Sequence, residues 1–353
     1  MEEKQSYNMV NIMILNVLKN YSDENHRLSQ QRLQELLEQE YNVKVDRKTV
    51  RRNLSKLIEN GFPIKYRGID NDNETITRKS KSGEDEIILT DWYYAHEFTD
   101  GELRLLIDNV LFSDGISKKQ RNDLISKLEM LSNKYFRSIT TKIDMDIYDR
   151  LSNSGILFII ESIGEAISKG KQLVFNYCYY DSDCKPYIKL DNNGVPKRYV
   201  VNPYQLISKN GHSYLICNLP QYDDLTHFRV DRIKNSEVLD TPAKQLRELS
   251  AFKAGIRLSD YIKEHPNLWS GTPVPVTFKC NKSVMGDIID SFGTNLKVTD
   301  LHNDMIEVRV YVSEDSMFHW AVQFSDEVEV VSPKNLRKRI ADTLRKALEK
   351  YDN

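Results

Sequence analysis

The side chains best placed for chemistry lie between His212 and Ile233, in the stretch HSYLICNLPQYDDLTHFRVDRI. Two strand-like runs, Ser213–Cys217 and His227–Ile233, flank a polar connection containing Pro220 and Asp223-Asp224. In the second run Phe228 and Val230 alternate with Arg229 and Asp231. A pleated strand sends such alternating residues to opposite faces. An arginine fixed on a strand beside a tyrosine of its neighbour is equipped to bind an anion such as a phosphate, because the planar guanidinium offers paired donors. The same segment also fits an ordinary sheet with a solvated charged face.

Nucleophilic chemistry is the other possibility in this stretch. His212, Cys217 and His227 lie close in sequence, and a Cys/His pair is one route to covalent catalysis. Cys217, however, sits inside an apolar run beside Ile216, where a buried and inert thiol is the commoner outcome. No Walker loop, HExxH, GxSxG or GxGxxG occurs, and His96, His302 and His319 form no ligand-spaced pair. The cysteines Cys178, Cys184, Cys217 and Cys280 lack zinc-like spacing and point to a reducing, cytoplasmic setting. The sequence therefore predicts no catalytic residue, no metal and no cofactor.

A second charged cluster lies far upstream. Between Lys44 and Arg67 stand Lys44, Arg47, Lys48, Arg51, Arg52, Lys56, Lys65 and Arg67, against only Asp46 and Glu59, in a chain whose formal net charge is -2. Such a local excess is the footprint of a duplex binder, whose affinity rests largely on neutralising phosphates. Lys48, Thr49 and Arg52 are expected nearest the base edges. Arg47, Arg51, Lys56, Lys65 and Arg67 are expected on the backbone. A solvated basic helix, or a face that binds RNA or single strands, carries the same charge.

The elements that must position these residues follow from periodicity. Residues 8–68 read as three helices and a strand, the helices presenting Val10, Ile14, Val17 and Leu18, then Leu33, Leu36 and Leu37, then Val50, Leu54 and Leu57. Ser29 and Asp46 are N-cap residues, Gly61 ends the third helix, and Phe62–Arg67 begins a wing whose tip spans 68–86. Ile87–Tyr94 returns as a strand. A connector of two helices follows, with Leu103, Leu106, Ile107, Val110 and Leu111 on the first and Leu124, Leu128 and Leu131 on the second. These stripes serve either an internal contact or a dimer seam. A helix over 156–169 precedes strands at 173–180 and 198–207 with turn signals at Asp191–Gly194 and Asn210-Gly211, the pattern of a small antiparallel barrel. From Val274 the order is β-α-β-β-α-β, which is ferredoxin-like, closed by a helix with Leu336, Ile340, Leu344 and Leu348.

At 353 residues, 40% hydrophobic and 29% charged, the chain is long enough for several cores and too apolar for disorder. Its longest apolar runs, such as Ile156–Ile160, are too short to span a bilayer, and no secretory signal opens the sequence.

With these residues laid out, the chain resembles bacterial transcription regulators of the WYL-domain family. The resemblance rests on the N-terminal winged helix, on Ser213-Tyr214-Leu215 leading to Phe228–Ile233, and on Trp320–Phe324 with Val328–Pro333, which is similar to the family's C-terminal extension. One departure is plain: Ser213 stands where the family's first tryptophan stands. The resemblance implies a multidomain α+β chain: a winged helix-turn-helix over 1–95, a helical connector over 96–150, an Sm-like barrel over 151–240 and a ferredoxin-like, dimerising extension over 241–353. It also implies a homodimer that binds a DNA operator and senses an anionic nucleotide or nucleic-acid fragment. Carried onto this chain, the ligand contacts are Tyr204, Tyr214, Arg229 and Arg232, with Arg198 and His212 beside them. By strict alternation Arg232 falls on the Phe228 and Val230 face, so both arginines reach one ligand only where the strand bends, bulges or ends.

Overall fold

The computed structural model describes residues 9–67, 77–79, 85–87, 90–113, 115–136, 155–209, 211–253, 257–269, 271–294 and 296–352. Most of the expected wing tip and Asn210 lie outside the described residues. The chain is a mixed α+β protein that divides into two units, 1–154 and 155–353.

In the first unit the three anticipated helices are α1 (Val10–Tyr21), α2 (Gln30–Tyr41) and α3 (Arg47–Glu59). Ser29 accepts a hydrogen bond from the Arg32 amide, and Asp46 accepts one from Thr49, so both caps satisfy donors that a helix start leaves open. Asn42 closes α2 in the left-handed region. The predicted apolar stripes are the buried ones. Val50, Leu54 and Leu57 of α3 pack with Ile14 and Leu18 of α1 and with Leu33 and Leu37 of α2. Strand β1 (Ile64–Arg67) pairs antiparallel with β4 (Thr90–Tyr94), whose Trp92 joins the same core, while the short β2 (Thr77–Lys79) and β3 (Asp85–Ile87) pair with each other.

Two helices, α4 (Asp100–Leu111) and α5 (Lys118–Glu129), open on the capping boxes Thr99/Glu102 and Ser117/Gln120. Leu103, Ile107 and Leu111 are buried and Val110 and Leu128 pack against them as expected, but Leu106 is exposed, Ile125 turns inward in place of Leu124, and Leu131 lies exposed beyond the end of α5, which corrects the predicted stripes. The pair is fastened to the three-helix core: buried Asn133 donates to Asp23 at 2.7 Å, and His26 stacks on Tyr135 at 3.7 Å.

The second unit begins with α6 (Ile156–Lys169), which lays Ile156, Ile159, Ile163 and Ala166 on a six-stranded antiparallel sheet. Its strands are β5 (Lys171–Tyr180), β6 (Pro186–Ile188), β7 (Arg198–Lys209), β8 (His212–Asn218), β9 (Leu225–Arg229) and β10 (Ile233–Pro242). They run in the order β10-β5-β7-β8-β9, with β6 on the outer end of β5. Among the described residues β9 and β10 do not pair, so the sheet is open where a closed barrel was expected. A 3-10 turn over Val230–Arg232 takes the chain out of β9 and delivers it to β5 on the far side of the sheet.

Short helices α7 (Ser250–Lys253) and α8 (Leu258–Glu264) then cover Ile216, Leu225 and Tyr204 with Leu249, Phe252 and Tyr261. The anticipated β-α-β-β-α-β order follows as β11 (Pro273–Asn281), α9 (Met285–Phe292), β12 (Lys297–Asp300), β13 (Met305–Ser313), α10 (Glu314–Gln323) and β14 (Val328–Ser332). Its sheet order is β12-β13-β11-β14. Helix α11 (Lys334–Leu348) buries Leu336 and Ile340, half-buries Leu344 and leaves Leu348 exposed at its end.

Two outcomes follow from this packing. Leu54→Ala, at a fully buried site, is expected to lower unfolding free energy by about 2–5 kcal/mol in urea titrations, whereas exposed Lys48→Ala leaves the transition in place. His227, held neutral mainly by burial and next by His265, has its pKa lowered to about 4. The unfolded chain therefore takes up this proton first as pH falls, so the contribution of His227 is full above pH ~6.5 and is lost on the way to pH ~4. Denaturation at several pH values is expected to show about 3 kcal/mol of such loss, absent in His227→Leu.

Candidate anion site and nucleic-acid face

Strand β9 ends at Arg229, directly opposite Tyr214 of β8. The 3-10 turn over Val230–Arg232 that follows folds the Asp231 carboxylate back beside the guanidinium. Arg229 donates from Nε to Asp231 Oδ1 at 3.1 Å and from Nη2 to Oδ2 at 2.8 Å, a two-point pair. Nη2 also lies 3.0 Å from His212 Nδ1. The carboxylate is almost wholly buried (8% exposed) and the guanidinium retains a 24% exposed surface. Burial alone lowers the Arg229 pKa; the bonds from Asp231 outweigh it, and the net shift is upward.

The 3-10 turn answers the question of Arg232. Because the strand stops at Arg229, Arg232 is released from strict alternation, and its guanidinium lies 5.4 Å from the ring centre of Tyr180 on β5. Ile233 then pairs with Tyr177, whose hydroxyl accepts the Arg229 amide at 3.2 Å. Burial raises the pKa of Tyr177 and of Tyr180, and Asp231 acts in the same sense on both. The result is a compact patch of Arg229, Arg232, Asp231 and His212, walled by Tyr177, Tyr180 and Tyr214. Its donors and rings suit an anion with a flat apolar part.

Two predicted contacts lie elsewhere. Arg198 is on the surface of β7 in an ion pair with Glu237 at 3.2 Å. Tyr204 packs with Ile216, Leu225, Leu249 and Phe252, and its buried hydroxyl has no hydrogen-bond partner among the described residues. A bulge between Pro203 and Gln205 turns it toward that cluster. Tyr177, Tyr180 and Asp231 were not singled out as ligand contacts in the sequence. The Asp231 contact depends on the 3-10 turn that ends β9, which strand alternation does not foretell.

The Cys/His grouping is not assembled. Cys217 stands opposite Thr226, and His227 opposite Ile216, so the thiol and the imidazole point to opposite faces of the sheet. Burial pushes the Cys217 thiol up, away from a reactive thiolate.

In the first unit Arg47, Lys48, Arg51, Arg52, Lys56, Lys65 and Arg67 are all exposed, on the side of α3 away from its core stripe and on β1. Arg67 lies 3.7 Å from Asp91. Thr49 is only half-exposed and its hydroxyl donates to Asp46 at 2.9 Å, so of the three expected base readers it is the one committed to the helix cap.

A WYL domain is matched over residues 159–238 and a WCX domain over 272–348. Among solved structures the chain is similar to Proteasome accessory factor B/C (PafBC) of Arthrobacter aurescens, with 15% identity and a TM-score of 0.28 over 97% of this chain and 49% of that one. It thus spans about half of that structure's length. It is also similar to a CRISPR Cas-related protein, with 10% identity and a TM-score of 0.35 over 99% of this chain and 85% of that one. No curated protein matches. No helix among the described residues is long and apolar enough to cross a membrane. The WYL match ends in β10 and the WCX match runs from β11 to α11, so the second unit carries a WYL domain followed by a WCX domain.

Proposed function

We propose that this protein is a DNA-binding transcription regulator whose affinity for its operator changes when an anionic nucleotide or nucleic-acid fragment occupies the Arg229 patch. The observation that carries the reading is the partly exposed Arg229 guanidinium, which pairs with Asp231 and lies against His212 beside the Tyr214 strand. On this reading residues 1–95 form a winged helix-turn-helix, with Lys48 and Arg52 nearest the bases and Arg47, Arg51, Lys56, Lys65 and Arg67 on phosphates. Residues 96–150 connect it to the sensing domain at 151–240, and 241–353 form the C-terminal extension.

The working form is a cytoplasmic homodimer. Leu105, Phe112 and Met130, exposed on and beside the connector helices, support a seam there. Paired recognition helices must match half-sites about one turn (~34 Å) apart, so a small rotation in the connector suffices to alter affinity. A tenfold change requires the ligand to discriminate between two states by about 1.4 kcal/mol. The protein is a binder, not an enzyme, and Cys217 is a packing residue.

Two outcomes test the reading, both on a duplex selected from a random library by the full chain. First, Lys48→Ala combined with Arg52→Ala is expected to abolish selective binding. Arg51→Ala is expected to weaken all duplexes alike and to reduce the salt slope by about 1. A preference for RNA or single strands over duplex in the same salt titration contradicts the operator assignment. Second, a 5′-phosphorylated dinucleotide is expected to shift duplex affinity in the wild type and not in Arg229→Ala, whose affinity without nucleotide is unchanged. An unaltered response in that variant removes Arg229 from the site.

A further inference from the structure

The second unit holds a cavity of about 330 Å³ beside Leu225 and Phe252, where the β8–β9 connection meets the first strand of the WCX domain. We infer that this cavity binds an organic cation: an ammonium group carried on an apolar or aromatic body.

Its walls come from four parts of the chain, one of them Gly271–Pro273 at the start of β11. The β8–β9 connection supplies Asp224 and Leu225, α7 and α8 supply Phe252, Tyr261 and Glu264, and β13 supplies Tyr311. The floor is apolar and aromatic, with Leu225 and Phe252 buried. Tyr261 is held as a rigid wall. Its ring stacks on His265 at 4.0 Å, and the buried His265 ring is fixed between the Tyr261 carbonyl at 2.8 Å and the Gly271 carbonyl at 3.0 Å. Among the described residues no lysine or arginine lines the space.

The charges select the ligand. Asp223 is already satisfied by Lys244 at 3.1 Å and by the Ser250 amide at 3.1 Å. Asp224 and Glu264, by contrast, have no lysine or arginine partner among the described residues; burial raises the Glu264 pKa, against a smaller opposing effect of the neighbouring His265. Half-buried Glu264 and exposed Asp224 therefore present negative charge at the mouth of an aromatic cavity, which a cation offsets. An anion meets repulsion from both rims. A divalent metal does not fit either, because among the described residues no three His, Cys, Asp or Glu side chains converge as ligands. What remains is a cation whose charge meets a carboxylate while its body lies on aromatic faces, the arrangement that favours ammonium groups over rings. The volume lies within the range of small-molecule sites. Because the walls belong to both domains, an occupant ties the β8–β9 connection to the WCX sheet.

The test is isothermal titration of the full-length protein at pH 7 and low salt with tryptamine, 2-phenylethylamine and choline, using indole-3-propionate as the anionic counterpart of tryptamine. At least one amine is expected to bind at millimolar concentration or tighter, with no heat from indole-3-propionate. Glu264→Gln is expected to weaken that amine about five-fold, the loss of one charge contact. Tyr311→Ala, at an exposed rim position that leaves the fold intact, is expected to weaken it by a similar factor through loss of an aromatic face. Absence of binding by all three amines, equal binding of indole-3-propionate, or unchanged affinity in both variants overturns the assignment.

Discussion

The ion pair between Arg229 and Asp231 is the constraint around which the second unit's chemistry is arranged. It stands where β9 stops, and the turn that ends the strand also carries Arg232 to Tyr180 and starts β10 against Tyr177. Removing the turn would return Arg232 to the far face of the strand. The pair is also poised energetically. A buried carboxylate and a half-buried guanidinium gain from each other, but the charge repays only part of its lost hydration. A phosphate offers the guanidinium the same two-point geometry, but taking Arg229 from Asp231 would leave a buried carboxylate unpaired, at a cost of about 3–5 kcal/mol that the ligand must offset.

The basic face of the first unit is built on the opposite principle. Its cations are exposed, and the helix that carries them is held by one stripe, Val50, Leu54 and Leu57, on its other side. Stability and charge are thus separated around one helix. The charged face is free to be chosen for a partner, while the buried face fixes where it points. Capping by Asp46 uses the Thr49 hydroxyl, so the helix start and the reading surface share a residue.

Much of this was legible in the sequence, for physical reasons. The helices of the first unit are marked by caps and by apolar stripes that local geometry alone determines, and Ser29, Asp46, Leu33 and Leu54 do what their spacing implies. The β-α-β-β-α-β order was legible because each element is short and clearly bounded. What depended on distant contacts was not. Tyr204 is turned away by a bulge, and Arg198 finds Glu237 across the sheet. The opening of the sheet rests on where one strand stops. The α5 stripe was misassigned because Ile125, one residue from Leu124, is the side chain that faces α4. The WYL–WCX cavity has no local signature at all, since its walls come from segments more than eighty residues apart.

The most direct test of the central claim is the affinity of a 5′-phosphorylated dinucleotide for Asp231→Asn compared with the wild type, measured by isothermal titration. If Asp231 holds the guanidinium in place of a ligand phosphate, removing its charge leaves Arg229 in need of an anion, and the nucleotide binds about tenfold more tightly. Unchanged or weaker binding in Asp231→Asn would show that the pair is only structural and that the anion is recognised elsewhere.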